Sequence, residues 1–312
     1  MVKKIVGFFS RLLPSRIVCW LKCKVLSIVN AKNPGCYEGF IYDEYPWLDD
    51  VVKNKENLTF SHSGGLGDIL FALHFMREFS EHNGIGKYNF HFLVKEKDYP
   101  VAEFIIPLLK AQSGVDKVTI GRKIPDNTNE IALHNFWKLK LNFAASDIRS
   151  WYYNLTRCHL PREFWKPVIE VDADYKYRNK ILICNTDRYC NVHVDLNYLK
   201  EFQRHLVFIG LPHEHEAFCR NFFEVPYQPC KDMLEMAQYM AGAKGFIGNQ
   251  SGIYSLAECM KIPRILLAPE FVRFNSVIIP GPHNNHPIGG WCEDVVSTEK
   301  MIAAVKALLN KE

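Results

Sequence analysis

From residue 57 onward, short aliphatic or aromatic runs alternate with stretches of helical periodicity, and glycine-bearing turns stand at several of the junctions. Leu58–His62 alternates with period two and runs straight into Ser63-Gly64-Gly65-Leu66-Gly67-Asp68. The following stretch, Asp68–Glu81, places Ile69, Leu70, Leu73, Phe75, Met76 and Phe79 largely on one helical side. Strands are expected at Asn89–Val94, Lys117–Ile120 and Ile131–Leu133, and a helix at Ala102–Gln112. This rhythm builds a parallel sheet with helices laid on it.

A second series opens after the polar stretch Asp172–Asn179. Lys180–Cys184 reads as a buried strand. It is followed by a helix near Asp195–His205, a strand at Leu206–Gly210 and helices at Glu214–Phe222 and Lys231–Ala241. Then come a strand at Gly245–Gly248, a helix at Ser251–Met260 and a strand at Arg264–Ala268. Ser297 or Thr298 caps a final helix that runs through Leu309. At 312 residues the chain exceeds one ordinary domain, and no internal repeat divides it. The economical architecture is α/β: two Rossmann-like domains whose parallel sheets face a central cleft. The expected division is 1–55 for a basic extension, 56–175 for the first domain and 176–312 for the second, with the last helix free to pack back on the first.

Charge and cysteine usage narrow the class. A net charge of +4 gives no nucleic-acid footprint, and no nucleic-acid partner is expected. The ten cysteines include no Cys-x-x-Cys pair, and Cys184 and Cys259 lie in apolar company. Free thiols in that number point to a reducing compartment, hence the cytoplasm. The first 37 residues carry seven Lys or Arg and no acid, interleaved with Phe, Trp and aliphatic residues. No apolar run there reaches the roughly 18–20 residues needed to span a bilayer. Two readings stay open: a segment lying on the anionic inner face of the cytoplasmic membrane, or helices packed on the first domain with solvated cations. The aromatic stretch 136–167 likewise reads either as core or as a platform for sugar faces.

Three strand-to-helix turns could carry chemistry, because ligands of parallel α/β sheets bind at the carboxyl ends of strands. In the first, Gly65 and Gly67 let a ligand approach the backbone, and Asp68 either caps the helix or accepts a proton. It lacks the Lys-Ser/Thr of a P-loop and the spacing of a dinucleotide fingerprint. In the second, Gly248-Asn249-Gln250-Ser251-Gly252, Ser251 either only caps the helix or also offers its hydroxyl to a phosphate. In the third, Leu211-Pro212-His213-Glu214-His215-Glu216, the two histidines are two apart and diverge on a helix, so no metal site is expected. His283 and His286 read as loop residues near a ligand rather than metal ligands.

Taken together, Ser-Gly-Gly-Leu-Gly-Asp-Ile-Leu (63–70), Gly-Leu-Pro-His-Glu-His-Glu (210–216) and Phe-Ile-Gly-Asn-Gln-Ser-Gly-Ile-Tyr-Ser-Leu-Ala-Glu (246–258) occur in the order seen in bacterial heptosyltransferases. Over residues 57–312 the chain resembles glycosyltransferase family 9, the ADP-heptose:lipopolysaccharide heptosyltransferase group. The resemblance implies a GT-B fold and inverting, metal-independent transfer from a nucleotide-diphosphate sugar, with no further cofactor, to a cell-surface glycan or lipid-linked acceptor. It places the general base on Asp68, donor and phosphate contacts on Gly65, Gly67, Thr186, Arg188, Gln250, Ser251 and Gly252, and nucleoside contacts on His213 and Glu214. The chain departs from the family where Gln250 replaces an Asp and Ser255 a His, which opens the donor to nucleotide sugars other than ADP-heptose. Two other readings remain: a non-catalytic nucleotide- or glycan-binding module of the same fold, and another GT-B enzyme such as a nucleotide-sugar epimerase.

Overall fold

The computed structural model describes residues 55–125, 129–138, 148–153, 155, 166–186, 191, 193–267 and 291–310. The basic extension, Arg188, His283 and His286, and Phe143, Phe164 and Trp165 of the aromatic stretch lie outside them. No helix among the described residues is long and apolar enough to cross a membrane.

The first sheet contains β1 (Leu58–His62), β2 (Tyr88–Leu93), β3 (Val115–Gly121) and β4 (Asn129–Ala132), ordered β3-β2-β1-β4. Its pairings are all parallel. Helix α1 (Leu66–His82) leads from β1 to β2, and α2 (Tyr99–Lys110) leads from β2 to β3. The one-sided apolar pattern expected of α1 understates its burial, for Phe71, Ala72, His74, Glu78 and Ser80 are buried as well. The helix is covered from more than one side, because α3 (Ile148–Tyr153) and a helix of the second half both pack on it. Its buried Glu78 is satisfied by the Tyr153 hydroxyl at 2.6 Å. Phe136, Trp151, Tyr152 and Tyr153 are all buried, so these members of the aromatic stretch belong to the core.

The second sheet contains β5 (Ile181–Cys184), β6 (Leu206–Ile209), β7 (Tyr227–Gln228), β8 (Gly245–Gly248), β9 (Arg264–Leu267) and β10 (Cys292–Val295). The order is β10-β9-β8-β5-β6-β7, again parallel throughout. The inner strands β5, β6 and β8 are continuous apolar runs because both faces are covered. Leu182, Cys184, Val207, Ile209, Phe246 and Leu266 join a core that continues into the first half. Ile181, Ile183, Leu206, Phe208, Ile247, Ile265 and Leu267 face a second core with Phe218, Met301, Val305 and Leu308. Among the described residues, the α-helices of this half are α4 (Pro212–Asn221), α5 (Met233–Gly242), α6 (Gly252–Met260) and α7 (Thr298–Leu309). The halves meet through helix pairs, α1 on α6 and α2 on α5.

Three details differ from the sequence expectation. Residues 196–205 form a 3₁₀ rather than an α segment, and their buried Leu196, Leu199 and Phe202 recur at the three-residue period of that helix. The strands β7 and β10 went unforeseen: one is two residues long, and the other, Cys-Glu-Asp-Val, is an edge strand with two acids. Among the described residues, helix α7, capped by Ser297, packs on β9, β10 and the 196–205 segment in the second half rather than on elements of the first.

Candidate functional site

Strand order marks where a ligand can enter. β1 lies between β2, its successor through α1, and β4, reached from the far edge, while β5 lies between β6 and β8. At such switch points the loops diverge and leave a crevice outside the carboxyl ends of the strands. The turn at 63–68 leaves β1, the residues around Thr186 leave β5, and the turn at 249–251 leaves β8.

In the first turn Gly65 is the N-cap of α1 and Asp68 the third helical residue. The Asp68 carboxylate accepts the Gly65 amide at 3.2 Å, so it does cap the helix, as its position allowed. The same carboxylate is only partly buried. Gly67 is demanded by packing, not by an unusual backbone. A Cβ on it would come within 2.7 Å of Ser255 Oγ and 3.5 Å of Gly252 Cα. The glycines therefore let the amino ends of α1 and α6 touch, and with them the first and the 248–252 turns.

In that second turn Ser251 is the N-cap of α6, and its Oγ accepts the Tyr254 amide at 3.3 Å. The Ser255 hydroxyl donates to Ser251 O at 2.9 Å. Gln250 is 3 % exposed, and among the described residues neither end of its side-chain amide has a hydrogen-bond partner. A buried amide left in that condition costs about 1–3 kcal/mol, which a polar ligand would recover. Asn249, which the sequence reading passed over, is fully buried and pairs with Thr186. Its Nδ2 donates to Thr186 O at 2.7 Å, and its Oδ1 accepts the Thr186 amide at 3.0 Å. The side chain thus acts as a backbone rung joining the ends of β5 and β8, and it places Thr186 beside Gln250 and Ser251.

The third turn stands at the end of β6. Glu214 Oε2 accepts the Leu211 amide at 3.1 Å and lies close to Gly210 and to the Cys184 thiol at the end of β5. Burial, with Glu214 nearby, pushes that thiol well up from its usual range. His213 is exposed. His215, by contrast, is structural: its ring stacks on Tyr227 at 4.8 Å and its Nε2 bonds to Val225 O at 2.8 Å. Among the described residues no group of three or more His, Cys, Asp or Glu side chains could hold a metal ion. The first and second turns are thus in contact, Thr186 is tied to the second, and the third lies one strand further along the same edge.

Beneath the site sits a charge cluster that no local sequence pattern announces. Glu258 of α6, fully buried, meets Arg149 of α3 at 2.6 Å, Lys261 at 2.5 Å and Arg264 at 2.6 Å. Burial alone would push the carboxyl up, but Arg264, Lys261 and Arg149 outweigh it and hold Glu258 well below its usual range. Burial pulls Lys261 down to about 8 against the attraction of Glu258. Arg149 comes from the first half and the other three residues from the second, so the cluster ties the two halves together below the crevice.

A scan against protein-family models found no match, and a search of curated proteins found none either. Among solved structures, the chain is similar to the glycosyl transferase family 9 structure from Veillonella parvula DSM 2008. The TM-score is 0.54 at 14% identity, with 82% of this chain and 97% of that chain covered. It is also similar to the E. coli heptosyltransferase WaaC with ADP-2-deoxy-2-fluoro heptose, with a TM-score of 0.50 at 11% identity, covering 80% of this chain and 99% of that one. The two-sheet α/β fold expected from the sequence is the fold of these structures.

Proposed function

We propose that this chain, which shares its fold with glycosyltransferase family 9, transfers a sugar from a nucleotide-diphosphate donor to a glycan or glycolipid hydroxyl. The observation that carries the reading is the contact of the two glycine turns. It sets a partly exposed carboxylate, Asp68, beside the amino end of α6, where free amides and the positive end of the helix favour a diphosphate. Thr186 and the unmatched Gln250 amide add polar groups at the same edge.

In this mechanism the acceptor hydroxyl gives its proton to Asp68 while its oxygen attacks the anomeric carbon. The bond from that carbon to the diphosphate oxygen breaks on the opposite face, so configuration inverts. The bond's electron pair leaves with the diphosphate, whose charge is met by the Gly252 and Ile253 amides, the Ser251 hydroxyl and, by resemblance, Arg188. In this reading no metal is required. His213 and Glu214 lie along the same strand edge for the nucleoside. The donor is ADP-heptose or another nucleotide sugar.

The test is nucleotide release and transfer from a panel of nucleotide sugars, with Asp68→Asn as the control. Asparagine still accepts the Gly65 amide, so folding is retained while the base is lost. Equal turnover by the variant would remove Asp68 from the chemistry. Nucleotide binding measured by calorimetry with no transfer to any acceptor extract would favour a binding module, and a new sugar product without acceptor would favour an epimerase. We further propose that the enzyme works at the inner face of the cytoplasmic membrane and that residues 1–37 hold it at the anionic lipid surface.

A further inference from the structure

The polar groups around the first turn form a closed ring whose proton positions follow from the partners alone. The Gly64 amide can only donate, and it points at His62 Nδ1 at 2.7 Å. That nitrogen must therefore be the bare one, and the ring proton sits on Nε2. The Asp68 carbonyl can only accept, and the Tyr152 hydroxyl donates to it at 2.7 Å. With its one proton so used, Tyr152 Oη accepts from His62 Nε2 at 3.3 Å. One tautomer satisfies every member. Reversing it would set an N–H against the Gly64 N–H.

The surroundings enforce that tautomer. His62 and Tyr152 are both fully buried, and Phe136 lies 6.1 Å from the His62 ring and 5.3 Å from that of Tyr152, centre to centre. Burial, with His134 nearby, pulls His62 down to about 3, so its ring is neutral at neutral pH. The turn itself is poor in constraint. Two consecutive glycines, Gly64 and Gly65, lose more freedom on ordering than any other residues would. A side chain on Gly64 would collide with the His62 ring and crowd Asp68 Oδ2. The ring thus substitutes for the rigidity that the glycines cannot supply: His62 holds the start of the turn, Tyr152 holds the backbone of Asp68, and the carboxylate bond to Gly65 closes the middle.

We infer that His62 and Tyr152 are positioning residues, which hold the Gly64–Asp68 turn as one hydrogen-bonded unit and so aim the Asp68 carboxylate at the acceptor. The inference rests on Asp68 acting as the base. Neither side chain reaches the reacting atoms; both act through the backbone of the turn.

Three variants separate the bonds. Tyr152→Phe keeps the ring and removes both hydroxyl bonds. His62→Asn sets an oxygen near the Nδ1 position and gives up the link to Tyr152. His62→Gln reaches toward Tyr152 and gives up the Gly64 bond. Thermal melting confirms that each folds. In full-length protein with ¹⁵N-labelled histidine, the resonance missing from His62→Asn identifies His62, and it should show a neutral ring protonated on Nε2. An imidazolium or the Nδ1–H tautomer at neutral pH overturns the ring. Amide exchange across residues 63–68, read by mass spectrometry, should quicken about 10-fold in Tyr152→Phe. Unchanged exchange overturns the anchoring role.

With a nucleotide sugar that wild type turns over, Tyr152→Phe and His62→Gln should each lower kcat about 10- to 100-fold with KM unchanged. His62→Asn should retain more activity, and the double variant His62→Gln/Tyr152→Phe should be no worse than the poorer single one. Wild-type kcat in Tyr152→Phe alongside faster exchange overturns positioning, as would a rise in KM alone. If wild type turns over no nucleotide sugar, the proposed function fails separately. The aiming of Asp68 at an acceptor then falls with it, while the tautomer and exchange readings still decide whether the ring holds the turn.

Discussion

Replacing Glu258 by glutamine tests the reasoning about the buried cluster most directly. The carboxylate presents two oxygens, one taken by Arg149 and Lys261 and the other by Arg264. A glutamine has a single acceptor oxygen, so its NH₂ must face either the Arg264 Nε–H or the two donors on the other side. Removing one partner of a buried ion pair costs about 3–5 kcal/mol, because the charge left behind is uncompensated. Set against a typical total of about 5–15 kcal/mol, this is a severe loss. Part of it is relieved through Lys261. Its folded value of about 8 already lies below 10.5, so folding releases a proton and stability rises with pH between those values. Without Glu258 the attraction that supports the ammonium is gone, and the lysine sheds its proton at lower pH. Urea denaturation followed by circular dichroism should show the midpoint falling by about 1–2 M, for m near 2–3 kcal/mol/M. Adding Lys261→Met to Glu258→Gln should return about 1–2 kcal/mol, because one buried cation is removed. A loss below about 1 kcal/mol, with no recovery in the double variant, would refute the claim that this carboxylate neutralises the interface.

Asp68→Asn should lower transfer at least about 100-fold, with stability within about 0.5 kcal/mol of wild type by thermal melting. Gly67→Ala puts a Cβ 2.7 Å from Ser255 Oγ and should cost about 1–3 kcal/mol. Ser255→Ala in the same chain should recover most of it, since the next contacts lie at 3.5 Å, and denaturation midpoints of the three variants decide the point. His62 is held at about 3 against 6.5 unfolded, so the unfolded chain binds the extra proton and stability falls on acidification through that window. His62→Asn should therefore flatten the stability-versus-pH slope between pH 6.5 and 4.5 by up to about 1.4 kcal/mol per pH unit, measured by urea titration at each pH. Deleting residues 1–37 should abolish co-sedimentation with anionic liposomes, and binding that persists unchanged rejects the membrane role of that segment.

What the sequence made legible was whatever repeats locally. Buried strands such as Ile181–Cys184 and Leu206–Ile209 are plain apolar runs, and Ser251 and Ser297 stand where helix caps belong. The side chains that hold the site in place follow no such period. Asn249 looks like a turn residue until Thr186 is seen opposite it, Arg149 meets Glu258 across 109 residues of sequence, and His62 ends a strand like any polar residue. Their roles come from tertiary pairing, which a local pattern cannot encode. Ser255 shows how far this changes an interpretation. Judged by resemblance it is a lost imidazole, which weakens the case for ADP-heptose as donor and motivates the reading of a non-catalytic module. In the fold its hydroxyl bonds Ser251 O and its Oγ fills the space that a Cβ on Gly67 would need. The small residue is therefore matched to the glycine across the helix interface. The departure belongs to the packing that brings Asp68 beside α6, and for that reason it does not argue against turnover.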